Sequence, residues 1–144
     1  NQHYTIVTSG ANIAIELSQR SRSTVSCVGG QISSSTLSLS GPQAEAFLAT
    51  VNIDTAVLAA TGYSTGAGFT VGSYTENSLK RRVIQKADKV ILLIDRSKLG
   101  RTLPFTFASL SDIDVVICDA PLPEDFIQAA RAAGTEVLQV QPAK

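Results

Sequence analysis

Three groups of residues in this chain of 144 combine the means to hold an anion with the means to hold hydroxyls. The first is Asp95, Ser97 and Lys98, directly after the apolar run KVILLI (residues 89–94). A lysine ammonium suits a phosphate as a mobile point charge, and a carboxylate accepts from sugar hydroxyls. In open α/β sheets such groups collect just beyond the carboxyl ends of strands. An ordinary Asp-led turn would use the same residues, but their position after a strand favours binding. The second group is Glu76 and Lys80, four apart on one helix face. It reads either as a capping box with an i, i+4 ion pair, or as a lysine facing a pocket with a glutamate orienting it. The third lies earlier. Thr8, Ser9 and Gly10 offer hydroxyls and amides at a helix start, a natural anion seat. Gly29, Gly30 and Gly41 either let backbone amides approach an anion or serve plain turn geometry.

Charge is distributed to match. The stretch Ser73–Arg101 holds eight basic and three acidic residues, which leaves it at +5 in a chain of zero net charge. A neutral chain is poorly suited to hold DNA by itself, because phosphate-backbone binding needs a net basic face. A local basic stretch fits a compact anion, or a solvated face. Apolar content of 44% and charged content of 17% fit a soluble globular protein with a real core. No run of eighteen apolar residues spans a membrane, and no signal peptide is visible. Cys27 and Cys118 sit in strand-like runs and read as buried, reduced thiols of a cytoplasmic protein. His3 is the one histidine, so no zinc site is expected.

Strands and helices alternate around these residues. YTIVT (4–8) reads as a strand that begins almost at the first residue, which predicts a fragment with elements upstream. A Ser-Gly turn leads to a helix over 12–19 and a returning strand over 24–28. Leu37 and Leu39 alternate with serines, as in a half-exposed strand. Gly41-Pro42 opens the next helix. DTAVLAA (54–60) predicts a strand covered on both faces, followed by a long glycine-rich loop through residue 75. Ser73 and Glu76 form a capping box for a helix reaching about Lys86. The most apolar strand then precedes Asp95. Phe105 and Phe107 fit a short strand or an extended arm. A buried strand over 114–118, a helix over 123–133 stopped by Gly134, and a last strand over 135–140 follow. Asp112, Asp114 and Asp119 bracket the strand and look structural; Arg81 and Arg82 read as surface or interface residues. The pattern predicts one α/β domain over residues 1–144: a mostly parallel, Rossmann-like sheet with helices on both faces.

Five segments in order give the chain a family resemblance: IVTSGANIAIEL (6–17), VGGQISSSTLSLSGP (28–42), IDTAVLAATGYSTGAGFT (53–70), ENSLKRRVIQKADKVILLIDRSKLGR (76–101) and FASLSDIDVVICD (107–119). They resemble the C-terminal effector-binding domain of DeoR-type transcriptional repressors. That domain is related in fold to ribose-phosphate isomerases, glucosamine-phosphate deaminases and coenzyme A transferases. The resemblance implies a sensor for a phosphorylated sugar or related metabolite, with no catalytic residue, metal or cofactor. It implies a homo-oligomer, and operator binding only through an N-terminal winged helix-turn-helix outside these residues. The family's Asp-Ser-Gly-Thr-Thr segment, which helps build its phosphate pocket, is likewise not among them. Ser9 stands where asparagine is usual and Arg96 where a small residue is usual; an arginine common after the Gly-Gly pair is missing.

Two other functions compete with a sensor. A sugar-phosphate isomerase or deaminase on the related fold would use Glu76 or Asp95 as its proton-transfer base, but no histidine stands near a carboxylate in sequence. An α/β oligomerisation module with a vestigial pocket is the other.

Overall fold

Apolar runs too short for helices, separated by helical segments, produce parallel strands in the computed structural model, which describes residues 2–141. The chain divides into two compact units, Asn1–Val51 and Asn52–Lys144.

The first unit is a small βαβ arrangement with an added hairpin. Strand β1 (Thr5–Thr8) runs into helix α1 (Ala11–Arg20) and returns as β2 (Thr24–Cys27), paired parallel to β1 with Thr8 opposite Cys27. The short strands β3 (Gln31–Ile32) and β4 (Leu39–Ser40) pair antiparallel. The strand expected from the Leu-Ser alternation is thus limited to Leu39–Ser40. Leu37 has a positive φ of 57° and belongs to the turn. Helix α2 (Pro42–Leu48) starts on its proline and buries Ala44 and Leu48. Cys27 is exposed, contrary to the sequence reading, and both cysteines are free thiols. A two-stranded ribbon covers few of its own side chains, which leaves the cysteine at its end open to solvent.

The second unit contains the main core. Strands β5 (Ile53–Ala59), β8 (Ala87–Ile94), β10 (Val115–Asp119) and β11 (Glu136–Val140) form a parallel sheet in the order β11-β10-β8-β5. The α/β class with a parallel sheet is therefore as the element pattern predicts. The glycine-rich stretch after β5 is not a loop. It forms a hairpin, β6 (Gly62–Ser64) and β7 (Gly68–Val71), and β9 (Phe105–Ala108) joins β7 to make a separate three-stranded antiparallel sheet. Burial explains this, because Tyr63, Phe69 and Val71 all lie inside the core. The Tyr63 and Phe69 rings are 4.8 Å apart across the hairpin. Gly68 permits the close approach, since a Cβ there would meet the Ala108 carbonyl oxygen at 2.4 Å.

Register then decides which side chains are covered. Leu58, Leu92, Val116 and Val137 stand in one row across the parallel sheet. They pack with Phe69, Phe107 and Phe126. Helix α3 (Tyr74–Lys86) adds Ile84 to that cluster and α4 (Glu124–Ala133) adds Phe126 and Ala130. The rows on either side point the other way, with Leu93 and Leu138 in one each 43% exposed and Val57 in the other 59% exposed. The expectation that β5 is covered on both faces fails here: successive side chains of a strand face opposite sides, and Val57, pointing away from the row of Leu58, is exposed. Among the described residues no helix is long and apolar enough to cross a membrane.

Candidate functional site

The carboxyl ends of the parallel strands surround a cleft of about 410 Å³. Ala60 follows β5, Ile94 ends β8, Asp119 ends β10 and Val140 ends β11; Asp95 and Lys98 complete the rim. Most of the lining is apolar. Lys98 and the carboxylates of Asp95 and Asp119 are its charged groups.

Asp95 organises the turn after β8. It caps a 3-10 turn over Arg96–Lys98, with Oδ1 accepting the Ser97 N–H at 2.9 Å and also the Ser97 hydroxyl. The Lys98 ammonium is 3.6 Å from Asp95 Oδ2. Both candidate residues after Asp95 are therefore held by it. The bond from the Ser97 hydroxyl, with Lys98 adding to it, keeps the Asp95 carboxyl below its ordinary pKa, so it is an acceptor at neutral pH. One contact spans two strand ends: the Arg96 N–H donates to Asp119 Oδ1 at 2.6 Å. Arg96 Nε is 4.0 Å from Asp119 Oδ2. Cys118 is buried beside this carboxylate, and burial pushes its thiol up to about 12; it is inert as a nucleophile.

Glu76 and Lys80 are placed behind the cleft wall. Ser73 caps α3 by accepting the Glu76 N–H at 3.4 Å. The Glu76 carboxylate turns to Lys80 instead, 3.8 Å away. The backbone-to-carboxylate bond of a capping box occurs at Ser109, whose N–H donates to Asp112 at 2.8 Å. Lys80 Nζ donates to the Ala59 carbonyl at 2.6 Å and lies 5.2 Å from the Phe107 ring centroid. It is not a lining residue of the cleft; it grips Ala59, which is. Burial lowers its pKa, and Glu76 opposes that shift. Arg81 and Arg82 are exposed and border a separate polar groove with Tyr74 and Asn77.

In the first unit, Thr8 and Ser9 stand at the end of β1, Gly29 and Gly30 follow β2, and Gly41 lies between β4 and α2. The Thr8 hydroxyl accepts the Gly10 N–H at 3.1 Å, and the Ser9 carbonyl accepts the Leu39 N–H at 2.6 Å. The first free amide of α1, at Ala11, donates to the Leu37 carbonyl at 2.9 Å, so it is already occupied. Gly29, Gly30 and Gly41 all have positive φ. A Cβ on Gly30 would come within 2.5 Å of the Ser40 carbonyl oxygen. These glycines satisfy turn and packing geometry.

Asp119 is the cleft residue that the sequence reading set aside as structural. It follows an apolar parallel strand just as Asp95 does, and the same strand-end rule identifies it. Among the described residues no three His, Cys, Asp or Glu side chains come together as a metal ion would require.

Comparison with known proteins gives the chain a family. The family model of the DeoR C terminal sensor domain matches residues 1–120. The HTH-type transcriptional regulator GlpR of Haloferax volcanii is 36% identical over 92% of this chain and 51% of its own length. The HTH-type transcriptional repressor GlcR of Bacillus subtilis is 31% identical, over 93% of this chain and 52% of its own. The glycerol-3-phosphate regulon repressor of Escherichia coli is 28% identical, over 85% and 49%. All three are transcriptional regulators by name, and the chain spans about half the length of the curated relatives it matches.

Proposed function

The chain belongs to the DeoR C-terminal sensor domain family, and on that premise we propose that it is an effector-binding domain that senses a small phosphorylated sugar or related anion for a transcriptional repressor. The observation that carries this reading is the strand-end cleft, where Lys98 stands with the acceptors Asp95 and Asp119. Lys98 attracts the anionic group. Asp95 and Asp119 accept from the hydroxyls, and Ser97 holds Asp95 in place. Lys80, positioned by Glu76, fixes the Ala59 wall. The role is binding rather than turnover. No cofactor enters it, and an intact regulator would act in the cytoplasm as a homo-oligomer that meets operator DNA through a separate winged helix.

Signalling in such a protein requires the effector to bind two arrangements with different affinity. The test is calorimetry with a panel of phosphorylated sugars, followed by operator-binding assays on the intact regulator. A ligand should bind with micromolar to millimolar affinity and change operator affinity, and Lys98→Glu should abolish both effects. Binding that leaves operator affinity unchanged for every ligand would overturn the switching role. Unimpaired response in the Lys98→Glu protein would remove the cleft from the mechanism.

A further inference from the structure

Two cations, not one, stand on the turn beside this cleft, Lys98 lining it and Arg96 just outside its lining. Lys98 is a rim residue with a side chain 32% exposed, 3.6 Å from Asp95. Arg96 has a side chain 53% exposed and reaches Asp119 only through Nε, at 4.0 Å. Tight charge-assisted pairs close to about 2.7–2.9 Å. Neither cation is committed at that distance, and the guanidinium does not grip Asp119 with its two-pronged face. The backbone does instead: the Arg96 N–H bond to Asp119 at 2.6 Å pins the turn to the end of β10. The Arg96 side chain is therefore anchored at its root and open at its tip.

The charges on this turn and at the end of β10 also balance. Asp95 and Asp119 offset Lys98 and Arg96 one for one, so a single phosphate placed at Lys98 gains little from the local field and faces two carboxylates. A ligand with two anionic groups changes that. One group draws Lys98 from Asp95, the other draws Arg96 from Asp119, and both carboxylates become available to hydroxyls. Guanidinium is the side chain whose fork matches a carboxylate or a phosphate with two parallel bonds.

We propose that Arg96 is a specificity-determining residue that selects effectors with two anionic groups on one polyol frame: a sugar bisphosphate or a phosphorylated sugar acid. The proposal rests on the strand-end cleft being the effector site.

The experiment compares matched ligands by calorimetry at fixed ionic strength: fructose 6-phosphate with fructose 1,6-bisphosphate, and glucose 6-phosphate with 6-phosphogluconate. The intact chain should bind at least one member with two anionic groups roughly tenfold more tightly than its monophosphate, as one added charge-assisted contact allows. The two pairs distinguish a second phosphate from a carboxylate. In Arg96→Ala the preference should fall to about twofold or less, the ligand with two anionic groups losing more affinity than the monophosphate. Arg131→Ala removes one exposed positive charge from α4 and should leave the preference intact. Equal affinity for both members of each pair overturns the proposal and leaves the sensor reading standing, as does a preference that survives Arg96→Ala. A preference lost equally in Arg131→Ala shows net charge alone at work and also overturns it. Absence of binding by all four ligands overturns this proposal and, for these ligands, the sensor reading with it.

Discussion

Lys80 lies 21 residues from Ala59 in sequence, yet its ammonium donates to the Ala59 carbonyl at 2.6 Å. The bond ties α3 to the last residue of β5, the wall of the strand-end cleft. Phe107 lies beside the ammonium and Glu76 partly compensates its charge.

The burial of Lys80 gives stability an alkaline pH dependence. Burial lowers the Lys80 pKa from 10.5 in the native state. Between that lowered value and the ordinary one the unfolded chain binds more protons, so stability rises with pH across the window. The cost of burying the charge is fully present below it. In Lys80→Met that part of the slope should vanish. Urea midpoints measured at intervals through the alkaline range check this, and parallel slopes for the two proteins would count against it.

Gly29 and Gly30 both have positive φ, but only Gly30 faces a carbonyl oxygen that a Cβ would strike. Gly29→Ala should cost about 1–2 kcal/mol, the ordinary penalty of a left-handed residue. Gly30→Ala should cost more, by roughly 1–3 kcal/mol of added overpacking strain. Thermal melts of the two variants provide the comparison; equal losses would mean that β4 yields freely.

The two thiols should differ sharply in reactivity. Cys27 is exposed, while Cys118 is buried and its pKa is pushed up to about 12. Iodoacetamide at pH 8 should alkylate Cys27 in the native chain and reach Cys118 only after denaturation. Peptide mapping of the labelled chain reads the result, and rapid native labelling of Cys118 would contradict the packing around β10.

Asp114 and Asp119 flank the same strand but should fail differently. Asp114 Oδ2 accepts the Val90 N–H at 2.7 Å and pins β8; Asp114→Ala should cost about 1–3 kcal/mol of stability and leave ligand affinity unchanged. Asp119 lines the cleft and holds the Arg96 turn. Asp119→Ala should weaken effector binding about tenfold, the loss of one charge-assisted bond. Melting curves and calorimetry together separate the two roles, and a reversed pattern would exchange them.

Local signals were enough for the alternation of strands and helices, the Ser73 cap, the Pro42 start and the Gly134 stop, because caps and periodicity act over a few residues. They also pointed to Asp95, Ser97 and Lys98 as candidates, since a polar cluster after an apolar strand falls at a sheet's carboxyl edge wherever the strand lies; of these, Asp95 and Lys98 line the cleft. Tertiary structure alone decided the rest. The glycine-rich stretch after β5 became a hairpin because Tyr63, Phe69 and Val71 found a core to enter. Cys27 became exposed because its ribbon has two strands, while Cys118 was buried in a sheet of four. Lys80 turned to Ala59, and Asp119 met the Arg96 turn, through strand pairing between segments far apart in the chain. The types and spacing of the residues thus determined which side chains could hold an anion. Register and packing determined which of them share a cleft, because contacts between distant segments depend on the whole sheet being assembled.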